Sequence, residues 1–180
     1  MGSNRAWEGR EPAALLRLAI KELGGILGGI RVSPLYHTVP LHVTDQPPFI
    51  NAAAAGYFSP PGSSAGKRPA GPEAEAAIRL LRAVQGIEAL YGRNRAGERR
   101  WGERSLDIDI LLFGDAPIAA PDLSIPHPRL AERAFALRPL LDLLPEAVEP
   151  GTGRPYKEIL AALPDQGVEV FTPRPRRDIL

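Results

Sequence analysis

The stretch that most limits what this chain can become is Leu106-Asp107-Ile108-Asp109-Ile110-Leu111-Leu112-Phe113. Aliphatic residues alternate there with carboxylates, and that period of two predicts a β-strand with one apolar and one charged face. Leu106, Ile108, Ile110 and Leu112 are expected on one side, Asp107 and Asp109 on the other. Same-face neighbours on a strand lie roughly 6.6–7 Å apart, so both carboxylates can reach one small volume. Two hard oxygen ligands so placed suit Mg²⁺, which takes one or two carboxylates and completes its shell with water and phosphate oxygens. Just upstream, Arg93, Arg95, Arg99, Arg100 and Arg104 are spread through a Gly-containing loop. Cations beside a divalent-metal site are what a polyphosphate requires, because several negative oxygens must be neutralised together. Each half has a plainer reading. An Asp-x-Asp on an amphipathic strand is most often a solvated face, and an Arg-rich loop is most often a nonspecific anion patch. Their adjacency, with Trp101 between them, favours the joint reading, since an exposed indole calls for a partner.

Composition narrows the setting. With 180 residues, 44% hydrophobic and 24% charged, the chain is expected to form one globular domain over 1–180. A net charge of +1 gives no global field toward nucleic acid, so any basic function must be local. Cysteine is absent, which removes thiolate metal ligands and a Cys nucleophile. No apolar run approaches the ~20 residues of a membrane span, and no signal peptide is read at the start, so a cytoplasmic protein without membrane partners is expected.

Along the chain, Gly2-Ser3-Asn4 reads as a turn and Pro12 opens a helix whose stripe is Ala13, Leu16, Ile20 and Leu23, closed by Gly24-Gly25. Ile30 to Thr38 and Phe49 to Phe58 read as two strands, joined by a proline-stiffened loop from Val39 to Pro48. Residues 59–71 read as a flexible insertion. Pro72 opens a second helix, with Ala77, Leu80, Leu81, Val84, Ile87 and Tyr91 on its apolar side and Gly92 as its stop. Gln85 and Glu88 are expected to share a patch on it. After the Asp strand come a Gly114-Asp115 turn, a short strand near Ile118, a helical stretch after Pro126-His127-Pro128, an apolar run Leu137 to Leu144, a helix from Pro155 to Leu163 and a possible strand Val168 to Phe171. A basic tail covers 172–180. This order predicts an α+β fold with helices on one face of an antiparallel sheet. A ferredoxin-like core fits, except that it needs a strand before the first helix.

The ordered motifs resemble the 6-hydroxymethyl-7,8-dihydropterin pyrophosphokinase family. They are Gly2-Ser3-Asn4, Tyr36-His37-Thr38, Gln46 with Phe49-Ile50-Asn51, Ile87-Glu88 leading to Gly92-Arg93-Asn94-Arg95, Arg100-Trp101-Gly102-Glu103-Arg104-Ser105-Leu106-Asp107-Ile108-Asp109, and Pro126-His127-Pro128 with Arg133 and Phe135. The resemblance implies a ferredoxin-like α+β fold and transfer of pyrophosphate from ATP to the pterin hydroxyl, releasing AMP, in folate biosynthesis. It implies two Mg²⁺ ions on Asp107 and Asp109. Catalytic roles would fall to Arg93, Arg95, Arg104 and the two aspartates. ATP contacts would come from Gln85, Glu88, Arg95, Arg104, Ile110, Ser124, His127 and Arg133. Pterin contacts would come from Thr38, Leu41, Phe49, Asn51, Trp101 and Phe135. The implied partners are small molecules; a monomer is expected, with transient contact to other folate-pathway enzymes left open.

Taken singly, Asn51 could bond neighbouring backbone, His127 could be a turn residue and Phe135 could be plain core. Two departures bear on the expectations. One extra residue in the Arg loop leaves Arg99 and Arg100 as alternatives for one phosphate role. The family also carries an aliphatic strand before Gly-Ser-Asn, and here Met1 stands directly before Gly2. Either that strand lies further upstream, or the sheet lacks it; in the second case poor stability or inactivity is expected, with rescue by an added strand. Two rival functions are an RNA-binding ferredoxin-like module using the arginines and Trp101, and a catalytically dead relative. The paired aspartates oppose the first, since they would repel phosphates without a metal.

Overall fold

The computed structural model describes residues 1–41, 43–60, 73–95, 97–99 and 101–173. Most of the 59–71 insertion, Pro72, Arg100 and most of the basic tail lie outside these residues. Gly2–Ser3 forms a short strand, β1, not the turn that the sequence suggests. It is pinned on both sides: Gly2 N–H donates to Asp107 O and Asp107 N–H to Gly2 O, both at 2.8 Å, while Gly2 and Ser3 pair with Asn51 and Ile50.

Helix α1 (Pro12–Gly24) begins with Pro near its first turn, where a missing N–H is harmless, and Gly25 N–H closes it on Glu22 and Leu23 carbonyls. Its buried stripe is Leu15, Leu16, Ala19 and Leu23, so Ala13 and Ile20 sit at the margin of the face expected for them. The segment read as one strand from Ile30 is two, β2 (Leu27–Val32) and β3 (Tyr36–Thr38), separated at Pro34. Phe49 to Phe58 likewise divides into β4 (Phe49–Asn51) and β5 (Ala54–Phe58). The break has a cause. Ala53 N–H donates to Ser33 Oγ, Ser33 N–H donates to Ala53 O and Ala52 N–H donates to Met1 O, so the chain changes partners between the two strands.

Helix α2 (Glu73–Leu90) carries Glu73 and Glu75 in its first turn, the favourable end for negative charge. It ends before Gly92, whose φ is +79°. A Cβ there would also collide with the Trp7 indole, which meets Tyr91 edge-on, so only glycine fits. Then follow β6 (Ile118–Ala120), β7 (Leu123–Ile125), a 3-10 turn (Leu130–Glu132), α3 (Ala134–Leu143), α4 (Tyr156–Ala162) and β8 (Val168–Val170).

The main sheet has the order β1-β4-β3-β8, with β2-β5 and β6-β7 as two-stranded ribbons, and every pairing is antiparallel. The terminal strand β8 therefore covers the β3 edge and does not lie beside β1. The architecture is α+β, as expected. Leu15, Ala19 and Leu23 of α1 meet Leu80, Val84 and Ile87 of α2 over Leu106 and Ile108. A second core joins α3 to α4 through Leu137, Leu140, Tyr156 and Ile159, with Leu111 and Leu112 against it. The helices thus serve two cores, and Leu112 leaves the face that strict alternation assigned it.

The Asp107 segment is extended but is not a ladder strand beyond its single bridge to Gly2. Its backbone is held otherwise. Ile108 N–H donates to Glu88 Oε1 at 2.8 Å, and His127 N–H donates to Leu111 O at 2.9 Å. A side chain and a loop take bonds that a neighbouring strand would take.

Candidate active site

Asp107 and Asp109 line one cleft together with Thr38, Leu41, Asn51 and His127. The cleft measures about 290 Å³, small for a ligand site. Four arginines, Arg93, Arg95, Arg104 and Arg133, stand in its lining. Arg104 Nη1 donates to Asp107 Oδ2 at 2.6 Å, Arg93 Nη2 approaches Oδ1 at 3.4 Å and Arg95 Nη2 stands 3.9 Å away. Burial pushes the Asp107 carboxyl up, but Arg104, Arg93 and Arg95 together outweigh it and hold it below the ordinary carboxylate value. Asp109 is more open and is paired with Arg133 at 3.7 Å.

Glu88 is 1% exposed and does not line the cleft. Its Oε1 accepts the Ile108 N–H and its Oε2 accepts Arg95 Nε and Nη2 at 3.2 and 2.6 Å. It ties α2 to the Asp segment and to the Arg loop at once. Burial raises its pKa against the pull of Arg95 and the Ile108 amide. Gln85 is exposed on α2, so the patch expected for the pair does not form.

On the far wall, His127 Nδ1 accepts the Arg129 N–H at 3.1 Å. Burial first, then Arg133, lowers its pKa against Asp109, which favours a neutral ring. The proton of such a ring belongs on Nε2, 3.5 Å from Arg133 Nη1, also a donor. Two donors side by side make a place for an anionic oxygen.

The other half of the cleft is flat and apolar. Phe49, Trp101 and Phe135 line it, and each ring carries a guanidinium near its face: Arg104 on Phe49 at 5.8 Å, Arg129 on Trp101 at 5.8 Å and Arg133 on Phe135 at 5.6 Å. Asn51 is buried and donates through Nδ2 to Thr38 Oγ1 at 2.7 Å, which fixes its amide. A Cβ at residue 2 would strike Asn51 Oδ1, so Gly2 is required for this approach.

Three segments are joined behind this wall by two amides. Asn4 Oδ1 accepts the Arg104 N–H at 2.8 Å, while its Nδ2 donates to Gln46 Oε1 at 3.1 Å and Pro47 O at 3.0 Å. Gln46 Nε2 donates in turn to Trp101 O at 2.9 Å and Val43 O at 2.8 Å. Trp101 sits at φ +60°, a conformation uncommon for a bulky residue, and this carbonyl bond helps hold it.

Of the residues implied by resemblance, Arg93, Arg95, Arg104, Asp107, Asp109, His127 and Arg133 meet in the cleft, as do Thr38, Leu41, Phe49, Asn51, Trp101 and Phe135. Gln85, Ile110 and Ser124 lie outside its lining: Ile110 packs toward α2, and Ser124 is exposed on β7. Arg99 is exposed, and Arg100 lies outside the described residues. Sequence reasoning missed Asn4 as a junction and Arg5 and Glu98 as a pair. Asn4 carried a signal in its motif; Arg5 and Glu98, 93 positions apart, carried none.

The family model described as 7,8-dihydro-6-hydroxymethylpterin-pyrophosphokinase matches residues 70–145. A Pseudomonas aeruginosa protein named 2-amino-4-hydroxy-6-hydroxymethyldihydropteridine pyrophosphokinase is 42% identical over 140 residues, covering 78% of this chain and 75% of its own length. The chain belongs to the 7,8-dihydro-6-hydroxymethylpterin-pyrophosphokinase family. A Methylorubrum extorquens pyrophosphokinase of the same name is 38% identical over 164 residues, 88% of this chain and 90% of that one. The Schizosaccharomyces pombe folic acid synthesis protein fol1 is 40% identical over 149 residues, 80% of this chain but 18% of its own. As a member of this pyrophosphokinase family, the chain is an enzyme, an ATP-dependent diphosphokinase. Among the described residues no helix is long and apolar enough to cross a membrane.

Proposed function

We propose that this cleft binds ATP and 6-hydroxymethyl-7,8-dihydropterin and moves the two terminal phosphates as one unit onto the pterin hydroxyl. The substrate oxygen attacks the β-phosphorus, the bond from that phosphorus to the bridging oxygen of the α-phosphate breaks, AMP leaves, and the hydroxyl proton is released to water. The observation that carries this reading is that two carboxylates, a set of arginines and an aromatic wall with a fixed Asn all open onto one cleft. A flat heterocycle with an amide-like edge fits Phe49, Phe135, Trp101 and Asn51, with Thr38 and Leu41 beside them.

Asp107 and Asp109 are assigned to hold two Mg²⁺ ions. Among the described residues no group of three or more His, Asp or Glu forms a metal cage, so most ligands would come from phosphate and water, a donor set that suits magnesium. Bound there, magnesium would neutralise phosphate oxygens and so relieve the repulsion between nucleotide and carboxylates. Arg95, Arg104, His127 and Arg133 are assigned to the triphosphate, and Arg93 to its closure. Arg104 must leave Asp107 for that task, which gives the bound state a different set of charge pairs from the free one. Trp101 would cap the ring and exclude water, limiting wasteful hydrolysis. The expected nucleotide roles of Gln85, Ile110 and Ser124 rest on the family resemblance alone. Glu88 acts by positioning Arg95 and the Asp segment.

The test is incubation with the pterin alcohol, ATP and Mg²⁺ while adenine nucleotides are followed. AMP formed in step with pterin consumption is expected; ADP instead, or no pterin-dependent nucleotide turnover, would overturn the reading.

A further inference from the structure

One ion pair beside the cleft, Arg5 with Glu98, is given no part in the reaction described above. Glu98, in the Arg loop, has a side chain only 9% exposed although it is charged. Its Oε1 accepts Arg5 Nη2 at 2.8 Å, and its Oε2 meets Arg93 Nη1 at 2.7 Å. Arg5 belongs to the turn that follows β1, and its N–H, like that of Asn4, donates to Arg104 O at 3.1 Å. Arg93 reaches on from Glu98 to Asp107 Oδ1. A continuous series therefore runs from the outer turn through Glu98 and Arg93 to Asp107. The Glu98–Arg93 contact is held by charge more than by alignment, since Glu98 Oε2 and Arg93 Nε have no aligned hydrogen-bond partner among the described residues. A buried carboxylate between two guanidiniums is a strong tether. Removing it leaves Arg93 sharing Asp107 with Arg104 as its remaining carboxylate.

We propose that Glu98 is a positioning residue: clasped between Arg5 and Arg93, it keeps the Arg loop drawn over the cleft before substrate arrives. When a divalent cation takes up the charge of Asp107, Arg93 loses part of that partner and Glu98 remains to hold it in place. The clasp thus sets the fraction of molecules already closed, and a ligand's apparent affinity falls in proportion as that fraction falls.

The test uses the full chain with Glu98→Ala, Arg5→Ala and the double variant, in wild-type and Trp7→Phe backgrounds. The second background leaves Trp101 as the sole indole. Without substrate, Glu98→Ala is expected to red-shift Trp101 emission and raise its quenching by acrylamide. In turnover it is expected to raise the KM for ATP about tenfold with kcat within about twofold of wild type, the mark of a lost pre-closed population. Arg5→Ala, half-exposed and more apt to fold normally, should move both readouts the same way by a smaller amount, and the double variant should be no worse than Glu98→Ala. Unchanged Trp101 accessibility overturns the proposal, as does a fall in kcat without a change in KM, or single effects that multiply in the double variant. The kinetic arm rests on reading the cleft as the nucleotide site. The fluorescence arm does not, so failure of one is distinguishable from failure of the other.

Discussion

Two hollows flank the Asp107–Phe113 segment, and they are finished in opposite ways. The cleft at the Asp107 end is lined by charges, with Arg93, Arg95, Arg104 and Arg133 set against Asp107 and Asp109, while Glu88 and Glu98 hold Arg95 and Arg93 from outside it. At the other end a groove of about 840 Å³ runs between Ala53–Phe58 and Ile108–Phe113, floored by Leu23, Leu80 and Val84. Arginines can swing in to neutralise carboxylates when no ligand is present. The groove has no comparable set of charges, its floor and much of its walls being aliphatic. The groove is collinear with β1, since Gly2 stands between Asn51 and Asp107. One hollow is therefore lined for charge exchange and the other for apolar contact.

The largest expected effect breaks the charged side of this contrast. Asp107→Ala or Asp109→Ala should lower turnover by roughly 10²–10³-fold or more, judged from the cost of removing one charge-stabilising group from a transition state. The fold should persist, checked by circular dichroism beside the AMP assay; normal Mg²⁺-dependent rates in the double variant would remove the metal assignment. Next, the apolar side can be filled. A six-residue apolar β-strand added ahead of Met1 should pair with both walls of the groove and raise the unfolding midpoint, since each buried backbone group newly paired is worth on the order of 1–3 kcal/mol. An unchanged midpoint would show that the groove takes no strand. Smaller again, Asn4→Ala should cost about 1–3 kcal/mol in a denaturant titration, because Arg104 N–H and Gln46 lose a buried partner. It should also raise the KM for the pterin, since the two loops lose their common anchor.

The smallest expected effect is a pH dependence. The folded protein holds the Asp107 carboxyl below its ordinary value of 3.8. A depressed acid stabilises the folded state above the unfolded pKa, and that contribution is lost as pH falls through the folded one. The substrate-free protein should therefore weaken between about pH 5 and pH 2, and Asp107→Asn should flatten that limb. Glu88, raised by burial, works in the opposite sense, so Glu88→Gln should steepen it.

Much of the scaffold was legible because its signals are local. Pro12 and Gly25 bound α1, Gly92 stops α2, and the Leu137 to Leu144 run packs as core. Thirteen of the residues nominated by the motifs line one cleft. What escaped is what depends on distant partners. The change of partner at Ala52-Ala53 needs Ser33 and Met1, the strand character of Gly2–Ser3 needs Asp107, and the loss of ladder beyond Asp107 follows from Glu88 and His127 taking its bonds. Periodicity sees side-chain faces, not who sits alongside. The Arg5–Glu98 pair was hidden for the same reason.

The packing of Trp7 on Gly92 has one further consequence. The indole fills the space above the last turn of α2, and Tyr91 is fastened beneath it by its hydroxyl to Glu22 at 3.2 Å. The end of α2 is thus bolted to α1 immediately before Arg93, so any movement of the Arg loop would have to start from that residue. A guanidinium so near a fixed anchor would travel only a short arc if the loop moved, and its charge would stay close to the threshold of the cleft.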